Sequence, residues 1–293
     1  MSSTTTYRSR ANGRTSWPTP WAPVQIAWHY RALIVPLARR EIEARYRGSA
    51  LGLLWAVIQP LLLLAVYSFV FGTILQVRWA SDAEARGIID PEASRGHFAL
   101  LLFSGLIVFN VFSECTSRAP SLMRDHAVFI KKVVFPVEVL PWSMLLVALF
   151  NAAVAGAALT LFHILLFGLP PATAWLAPLV VIPTLCIVLG LSWALASMGV
   201  YLHDTRQAVG LLITMTLFLS PVFYPLAAVP DAYAGFLHAN PLTAGIEALR
   251  GVYFFGILPD PTSWLLYFAG GWATLWCGFA WFHFTKRGFA DVV

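Results

Sequence analysis

The sequence predicts an all-α membrane protein with six transmembrane helices, an N-terminal amphipathic interface helix and short outer re-entrant or interfacial helices. Its 293 residues are 59% hydrophobic and 11% charged, with a mean hydropathy of +0.72, whereas soluble domains carry about 25% charged residues. Six charge-poor runs are long enough to cross a bilayer core of roughly 30 Å as helices. Most basic residues lie on one side of these runs. Together these observations exclude an ordinary soluble domain.

The chain is predicted to consist of a tail and one membrane domain. Residues 1–23 are rich in Ser, Thr, Arg and Pro and lack the apolar core of a cleaved signal peptide, so we expect a disordered cytoplasmic tail. Residues 24–293 contain no recognisable soluble domain or internal repeat. The three cysteines, Cys115, Cys186 and Cys277, lie far apart and are expected to pack as small apolar side chains.

The predicted spans are Leu51–Val77, Phe98–Ser117, Val137–Phe167, Thr173–Tyr201, Gln207–Val229 and Thr262–Thr285. Fifteen of the 19 Lys and Arg residues lie on the side of the two termini, and four lie on the other side. Because basic residues near the spans stay on the cytoplasmic side, both termini are predicted to be cytoplasmic. The even number of spans independently gives the same orientation.

The later spans lack charged side chains. The sequence from Val139 to His203 contains no Asp, Glu, Lys or Arg, and neither do the fifth and sixth predicted spans. Ion-coupled transporters bind their coupling ions at ionisable groups near the midplane. A transporter with this sequence is therefore expected to draw its energy from elsewhere. Asn151, His163 and His283 are expected to form hydrogen bonds between helices rather than ion sites.

An amphipathic helix is predicted before the first span. Apolar residues recur there at helical spacing, namely Ile26, Tyr30, Leu33, Ile34, Leu37 and Ile42. The basic residues Arg39, Arg40, Arg45 and Arg47 suit the cytoplasmic interface, where anionic headgroups attract them. Pro36 is expected to bend or start the helix, and Glu41 with Arg45 and Glu43 with Arg47 to support it. The helix is either an anchor for the first span or a docking surface for a cytoplasmic partner.

The cytoplasmic segment from Arg118 to Pro136 is predicted to hold a short helix that starts at Pro120 and Ser121. Further along this segment, apolar and basic residues adjoin in one cluster: Val128, Phe129, Ile130, Lys131 and Lys132. Apolar side chains in a loop that faces water indicate insertion into another surface. That surface is either the bilayer or, as we favour, a groove on a second protein.

The outer region from Ser220 to Pro261 contains six prolines, too many for one continuous helix. Asn240 followed by Pro241 is typical of a helix N-cap with proline at the first helical position. The following helix is predicted to place Leu242, Ile246, Leu249 and Tyr253 on one face and Glu247 and Arg250 on the other. This helix is either a packed cap or a gate over a channel.

Several aromatic residues are candidates for stacking on sugar rings, although core packing is the alternative for each: Tyr67, Phe71, Trp272 and Trp276. Acidic pairs in the loop 78–97 are interpreted as solvated charge. The sequence lacks a phosphate-binding GxxxxGK[ST] loop and the HExxH, GxSxG and CxxC motifs. No catalytic or metal site is predicted, and the chain is not expected to hydrolyse ATP by itself.

Three segments resemble a known family. The run from Arg39 to Trp55 (RREIEARYRGSALGLLW) resembles the motif that precedes the first span in permease subunits of ABC-2 type polysaccharide exporters, which move O-antigen, capsule or teichoic-acid-type polymers. Residues 129–136 with 139–141 are similar to the family's cytoplasmic loop. Residues 220–225, Asn240–Leu242 and Arg250 are similar to its outer region.

The resemblance implies a homodimer that forms a channel and binds two copies of a cytoplasmic ATPase, which hold ATP and Mg. It places the multi-pass chain in the lipids of the bacterial cytoplasmic (inner) membrane and implies no cofactor on this chain and no nucleic acid. Implied roles are ATPase docking (Arg124 and residues 128–132), attraction of a lipid pyrophosphate (Arg39, Arg40, Arg45, Arg47) and an outer gate (Asn240, Pro241, Glu247, Arg250). The implied substrate is a lipid-linked polysaccharide. The alternatives are an ABC-2 drug or small-lipid exporter permease and a membrane-embedded glycan or lipid enzyme.

Overall fold

A computed structural model describes residues 17–47, 51–67, 69–70, 74, 94–127, 135–202 and 204–292 of the chain. Their secondary structure is helical. The helices are α1 (Ala22–His29), α2 (Arg31–Tyr46), α3 (Trp55–Tyr67), α4 (Ser94–Asp125), α5 (Leu140–Phe167), α6 (Ala177–Val180), α7 (Ile182–Tyr201), α8 (Thr205–Leu219), α9 (Asp231–Ala239), α10 (Pro241–Arg250), α11 (Pro261–Thr285) and α12 (Phe289–Val292). A π-helix, Gly251–Phe255, follows α10.

Several predictions concern residues outside these ranges. They are most of the N-terminal tail, most of the acidic outer loop, Phe71, and the cluster Val128, Phe129, Ile130, Lys131 and Lys132. These predictions remain untested by the structure.

Four helical segments among the described residues are long and apolar enough to cross a membrane: Phe98–Asp125, Val137–Phe167, Ala172–Tyr201 and Pro261–Gly288. They correspond to the second, third, fourth and sixth predicted spans. The helices in the first and fifth predicted spans are shorter, α3 with 13 residues and α8 with 15. The described residues therefore confirm a multi-pass helical protein, with four spans of full length.

The predicted end of the fifth span is wrong. Helix α8 ends at Leu219, not at Val229, and Ser220 has an extended backbone (φ −101°, ψ 147°). The cause is Pro221, since a proline disfavours helical backbone angles in the residue before it. Pro225 lies four residues further on and precedes a short 3-10 turn, Leu226–Ala228.

The predicted short helix at Pro120 is also wrong, because α4 continues through this proline to Asp125 as one helix of 32 residues. A proline removes one hydrogen bond of the helix. In a membrane protein, the neighbouring helices satisfy the backbone group that is freed. Helix α7 packs here so closely that a Cβ atom on Gly199 would collide with the Pro120 carbonyl. Tertiary packing thus keeps α4 continuous where the local sequence favours a break.

The N-terminal amphipathic region forms two helices that meet at Tyr30. The guanidinium of Arg31 donates a 3.0 Å hydrogen bond to the Trp28 carbonyl at this junction. Pro36 lies inside α2 and does not start it. Ile34 and Ala38 are buried, because α2 packs against α5.

Helices α7 and α11 form the closest helix pair in the core. A Cβ atom on Gly278 would collide with the Gly190 carbonyl, and a Cβ atom on Gly190 would collide with the Thr274 carbonyl. Small residues at helix interfaces permit this approach of two backbones in membranes. Beside them, the buried ring of Trp193 packs edge-on against Phe279 with 5.0 Å between the centroids.

Replacing Gly278 with Ala is expected to destabilise the protein by about 1–3 kcal/mol, because the added methyl group overpacks a backbone contact. Gly270 is the matched control in the same helix, since a Cβ atom added there would meet open space among the described residues. Thermal unfolding of the purified chain in detergent measures both variants. An equal or lower melting temperature for Gly270→Ala than for Gly278→Ala would contradict this packing.

Candidate functional site

A polar cavity lies inside the membrane domain between α3, α4 and α5. Its volume is about 420 Å³, and we call it the inner cavity. Its polar lining residues are Arg45, Gln59, Asn110, Ser113, Glu114 and Asn151. Polar and ionisable groups at membrane depth are costly and usually face a cavity or a transport path. The inner cavity is therefore the first candidate site.

Glu114 is the central acceptor of the inner cavity. Its Oε1 atom accepts a hydrogen bond from the guanidinium of Arg45, and its Oε2 atom accepts a 2.9 Å bond from the Asn151 amide. The Arg118 guanidinium lies 3.7 Å from the same carboxylate. Its side chain is 18% exposed, and these partners offset the cost of taking a carboxylate out of water. Asn151 thus forms the predicted hydrogen bond between helices.

Glu114 is not among the site residues predicted from the sequence, although it lies inside the second predicted span. A lone carboxylate in an apolar run is itself a signal for a functional residue. The sequence around Gln59 and Asn110 does not indicate a site. Only the packing of α3 against α4 and α5 brings these two side chains to one cavity.

Two ion pairs connect α2 to α4. Arg45 bonds Glu114, and Glu41 accepts a hydrogen bond from Arg118. Within α2, Arg39 bonds Glu43 at 2.9 Å on the exposed face. The acidic residues of α2 thus pair both along the helix and across to α4. These pairs couple α2 to the second half of α4.

The predicted pyrophosphate-binding arginines differ in their surroundings. Arg40 and Arg47 are exposed at the surface, and Arg39 is exposed beside Glu43. Arg45 instead lines the inner cavity. Arg39, Arg40 and Arg47 are therefore accessible to an anionic headgroup. Arg45 bonds Glu114.

The inner ends of other helices are also joined. The Arg124 guanidinium at the end of α4 donates to the Gly199 carbonyl of α7. Lys286, directly after α11, bonds the carboxylate of Glu138. Arg124 is half-buried and joins α4 to α7. Its docking role stays a prediction.

The candidate stacking aromatics of α11 contact the N-terminal segment. The Trp272 ring lies 4.9 Å from the ring of Trp21. The Trp276 Nε1 atom donates a 2.9 Å hydrogen bond to the Pro18 carbonyl. Tyr67 is half-buried at the end of α3 and packs against the main core. Contacts within the chain therefore explain the positions of the Tyr67, Trp272 and Trp276 rings.

The outer region is organised by a capped helix. The Asn240 Oδ1 atom accepts a 3.0 Å hydrogen bond from the Leu242 amide, and Pro241 begins α10, which confirms the predicted N-cap. The Asn240 amide also donates to the Leu219 carbonyl at 3.1 Å and to the Ser220 hydroxyl at 2.9 Å. One side chain therefore joins the end of α8 to the start of α10.

Arg250 is the second buried centre. Its side chain is 1% exposed. Arg250 shares a face of α10 with Glu247, as predicted, and other segments cover that face at Arg250. Its guanidinium donates to the Leu101 carbonyl from two nitrogens at 3.2 Å, to Pro221 at 2.6 Å and to Val222 at 3.1 Å. A further bond of 2.9 Å reaches the Glu247 carboxylate. The N–H donors of the guanidinium lie in one plane, so this group bonds several acceptors around that plane at once.

The burial of Arg250 has a steric cause and an electrostatic consequence. Gly105 of α4 provides the space, because a Cβ atom there would lie 2.8 Å from the Arg250 guanidinium. Burial lowers the pKa of Arg250, and the Glu247 carboxylate opposes this shift. The Glu247 carboxylate and the carbonyl acceptors favour the charged form of the guanidinium.

The sequence matches the ABC-2 type transporter family over residues 33–254, a range that includes most of α2, Glu114, Arg250 and most of the outer region. The chain belongs to the ABC-2 type transporter family. The resemblance of its motifs is thereby confirmed.

This ABC-2 transporter is similar to known export permeases. The O-antigen export system permease protein RfbA of Myxococcus xanthus is 28% identical over 272 residues, which cover 92% of this chain and 98% of that protein. An RfbA of Klebsiella pneumoniae is 24% identical over 263 residues, with coverages of 89% and 95%. The polysialic acid transport protein KpsM of Escherichia coli is 25% identical over 246 residues, with coverages of 80% and 85%.

Replacing Glu114 with Gln in this ABC-2 transporter is expected to lower stability by about 1.5–3 kcal/mol, because charged hydrogen bonds to arginine are lost. Glu43→Gln is the control, since its exposed pair with Arg39 contributes about 0.3–0.5 kcal/mol. Chemical unfolding of the purified protein in detergent compares the two variants. Equal losses would show that Glu114 is no stronger a partner than a surface carboxylate.

Replacing Arg250 with Lys is expected to cost about 1–3 kcal/mol for each carbonyl left without a donor, since an ammonium cannot reach all four acceptors. Arg206→Lys serves as the control, because Arg206 is exposed at the start of α8. The melting temperatures of the two variants provide the measurement. An unchanged melting temperature for Arg250→Lys would refute the structural role of the guanidinium.

Proposed function

We propose that this chain is the permease subunit of an ATP-driven exporter that moves a lipid-linked polysaccharide, O-antigen-like or capsular, across the bacterial inner membrane. The observation that carries the proposal is the match to an O-antigen export permease over 92% of this chain and 98% of that protein. A match over nearly the full length of both chains favours a shared overall task. The polysialic acid transport relative supports a polysaccharide as the general substrate class.

In this proposal the chain crosses the membrane six times, with both termini in the cytoplasm. The four long spans and the shorter helices α3 and α8 supply the six crossings. The basic residues of α2, Arg124 and Lys286 then all lie on the cytoplasmic side, as the positive-inside rule requires.

A second copy of the chain would complete the channel. Helix α8 packs one side against α4 and exposes large apolar side chains on the other, among them Leu211, Leu212, Met215 and Phe218. This exposed face offers a surface for a second copy. The polymer would then pass between the two copies.

Two copies of a cytoplasmic ATPase, which bind ATP and Mg, would supply the energy. We expect them to dock on Arg124 and the cluster Val128, Phe129, Ile130, Lys131 and Lys132. The exposed Arg39, Arg40 and Arg47 would attract the lipid pyrophosphate, since guanidinium groups form charge-assisted bonds to phosphate.

Helix α4 is the element that would transmit the motion. It carries Arg124 near its inner end, Glu114 in the inner cavity and the Leu101 carbonyl that Arg250 binds. From Leu101 to Arg124 a continuous helix spans about 35 Å at 1.5 Å per residue. A rigid displacement of this helix would move the outer helix α10, with Asn240, Pro241, Glu247 and Arg250, at the outer gate.

A deletion strain tests the proposal. Loss of the chain is expected to abolish surface polysaccharide, and the tagged chain purified in mild detergent is expected to retain a stoichiometric ATPase with a phosphate-binding loop. The double variant Phe129→Asp/Ile130→Asp should lose both the ATPase and export, since charge opposes burial in an apolar groove. Val292→Asp, at an exposed C-terminal position, should retain both.

Surface glycan detection and mass spectrometry of the co-purified proteins provide the readouts. Normal surface polysaccharide in the deletion strain together with increased drug sensitivity would instead establish a drug or small-lipid exporter. Turnover of a glycan or lipid by the purified chain alone would establish an enzyme.

A further inference from the structure

Residues 17–29, which end with helix α1, run along the surface of α11. We call them the α1 segment. The Trp17 ring packs edge-on against the Phe284 ring near the end of α11, with 5.0 Å between the centroids. The Trp21 ring lies 4.9 Å from the Trp272 ring. Because Trp272 precedes Phe284 by twelve residues, or about 18 Å of helix, the α1 segment follows α11 over several turns.

These contacts place the α1 segment at membrane depth. The span Pro261–Gly288 is long and apolar enough to cross a membrane, and Lys286 is the first charged residue after its apolar part. Trp276 and Trp272 precede Lys286 by 10 and 14 residues, about 15 and 21 Å of helix. A bilayer core is about 30 Å thick. The rings of the α1 segment that pack against these two residues therefore lie in the hydrocarbon region.

The sequence of the α1 segment suits one leaflet and not a complete crossing. No Asp, Glu, Lys or Arg occurs between Arg14 and Arg31, a stretch of 16 residues. A helix needs about 20 apolar residues to cross a bilayer, and shorter apolar stretches are typical of re-entrant or interfacial segments. Charged residues avoid the hydrocarbon region. A stretch with a charged residue at each end therefore enters a leaflet and returns on the same side.

Prolines and two tryptophans lower the cost of the non-helical backbone before α1. Three of the seven residues from Trp17 to Pro23 are prolines, which have no backbone N–H group. The Trp276 Nε1 atom donates a 2.9 Å hydrogen bond to the Pro18 carbonyl, and the Trp142 Nε1 atom donates a 3.2 Å bond to the Pro23 carbonyl. At membrane depth, non-helical backbone is tolerated only where the protein covers or satisfies its polar groups. These contacts meet that condition for two carbonyls.

The outward side of the α1 segment is mainly apolar and aromatic. Trp17, Trp21, Val24 and Trp28 are 69%, 63%, 41% and 72% exposed. Toward the protein, by contrast, Ile26 packs against the main core. Surfaces in contact with water rarely expose contiguous apolar patches unless another surface covers them. Acyl chains beside α11 would cover this side of the segment.

The end of the α1 segment has the composition of a membrane interface. The Arg31 guanidinium carbon lies 4.6 Å from the centre of the Trp28 ring, a cation–π contact. Gln25 and His29 are exposed one helical turn apart on α1, so they form a polar strip that leads to this end. Tryptophan is enriched at the level of the lipid headgroups. The segment therefore reaches the membrane surface where α1 meets α2.

We propose that the α1 segment is a re-entrant element that inserts into the acyl chains of one membrane leaflet beside α11 and returns to the surface at Arg31. For residues 17–23 this insertion replaces the cytoplasmic tail that the composition predicts. The inference goes beyond the proposed function, because it does not depend on the exported substrate. An inserted α1 would also fix the start of α2 at the membrane surface.

Site-directed spin labelling tests the insertion. The full-length chain is purified with the subunits that remain bound to it and is placed in lipid nanodiscs. A nitroxide is attached at Trp21→Cys or at Val24→Cys, in a chain whose native cysteines are replaced with alanine: Cys115, Cys186 and Cys277. Two test positions keep the experiment decisive if one variant does not fold.

Two controls define water and lipid. Arg40→Cys, in the same background, reports water, since Arg40 is exposed on α2. Native Cys277 reports lipid in a chain that lacks only Cys115 and Cys186, because Cys277 is exposed on α11, nine residues before Lys286. Power-saturation spectroscopy measures collisions of each nitroxide with oxygen, which concentrates in hydrocarbon, and with a nickel chelate, which stays in water.

The ratio of oxygen to nickel collision rates at Trp21→Cys and at Val24→Cys is expected to match the ratio at Cys277 and to exceed that at Arg40→Cys. A nickel collision rate at either test position as high as at Arg40→Cys would place the segment in water and overturn the proposal. Low collision rates with both reagents at either position would show that protein covers the segment, as in a contact with a second copy. That result would overturn the proposal as well.

Discussion

The packing of the region from Ser220 to Arg250 depends on one buried guanidinium. The turn after α8 leaves the carbonyls of Pro221 and Val222 without helical partners, and Arg250 donates to both. The same side chain reaches Leu101 in α4, so it joins three segments that are distant in sequence. In a water-poor environment unpaired carbonyls are costly. The break in the chain and the arginine that satisfies it therefore form one structural unit.

A second centre, at Glu114 in α4, carries the opposite charge. Glu114 collects bonds from Arg45 and Asn151 and lies close to Arg118. It joins α2, which lies before the first span, to helices α4 and α5. Both centres contact α4, one near each end. This most enclosed of the long spans is thus the element through which an event at one membrane surface would reach the other.

Much of the fold was predictable because hydropathy and local chemistry dominate along single segments. The four long spans follow from runs of apolar residues. The Asn240 cap depends only on residues within one turn of helix. Local rules failed where a distant segment decides the outcome. Pro120 remains inside a helix because Gly199 of α7 packs against it. Arg250 is buried because two segments distant in sequence, at Leu101 and Pro221, cover its side chain.

The sequence by itself determined that the chain is a membrane protein, which segments are apolar enough to cross, and which family its motifs resemble. These properties depend on composition and on neighbouring residues. The tertiary structure decided which polar groups meet. Glu114 with Arg45, and Arg250 with the Leu101 carbonyl, come from separate helices. Their proximity results from how the helices pack, where side-chain shape and small residues such as Gly190 and Gly278 determine the distance between backbones.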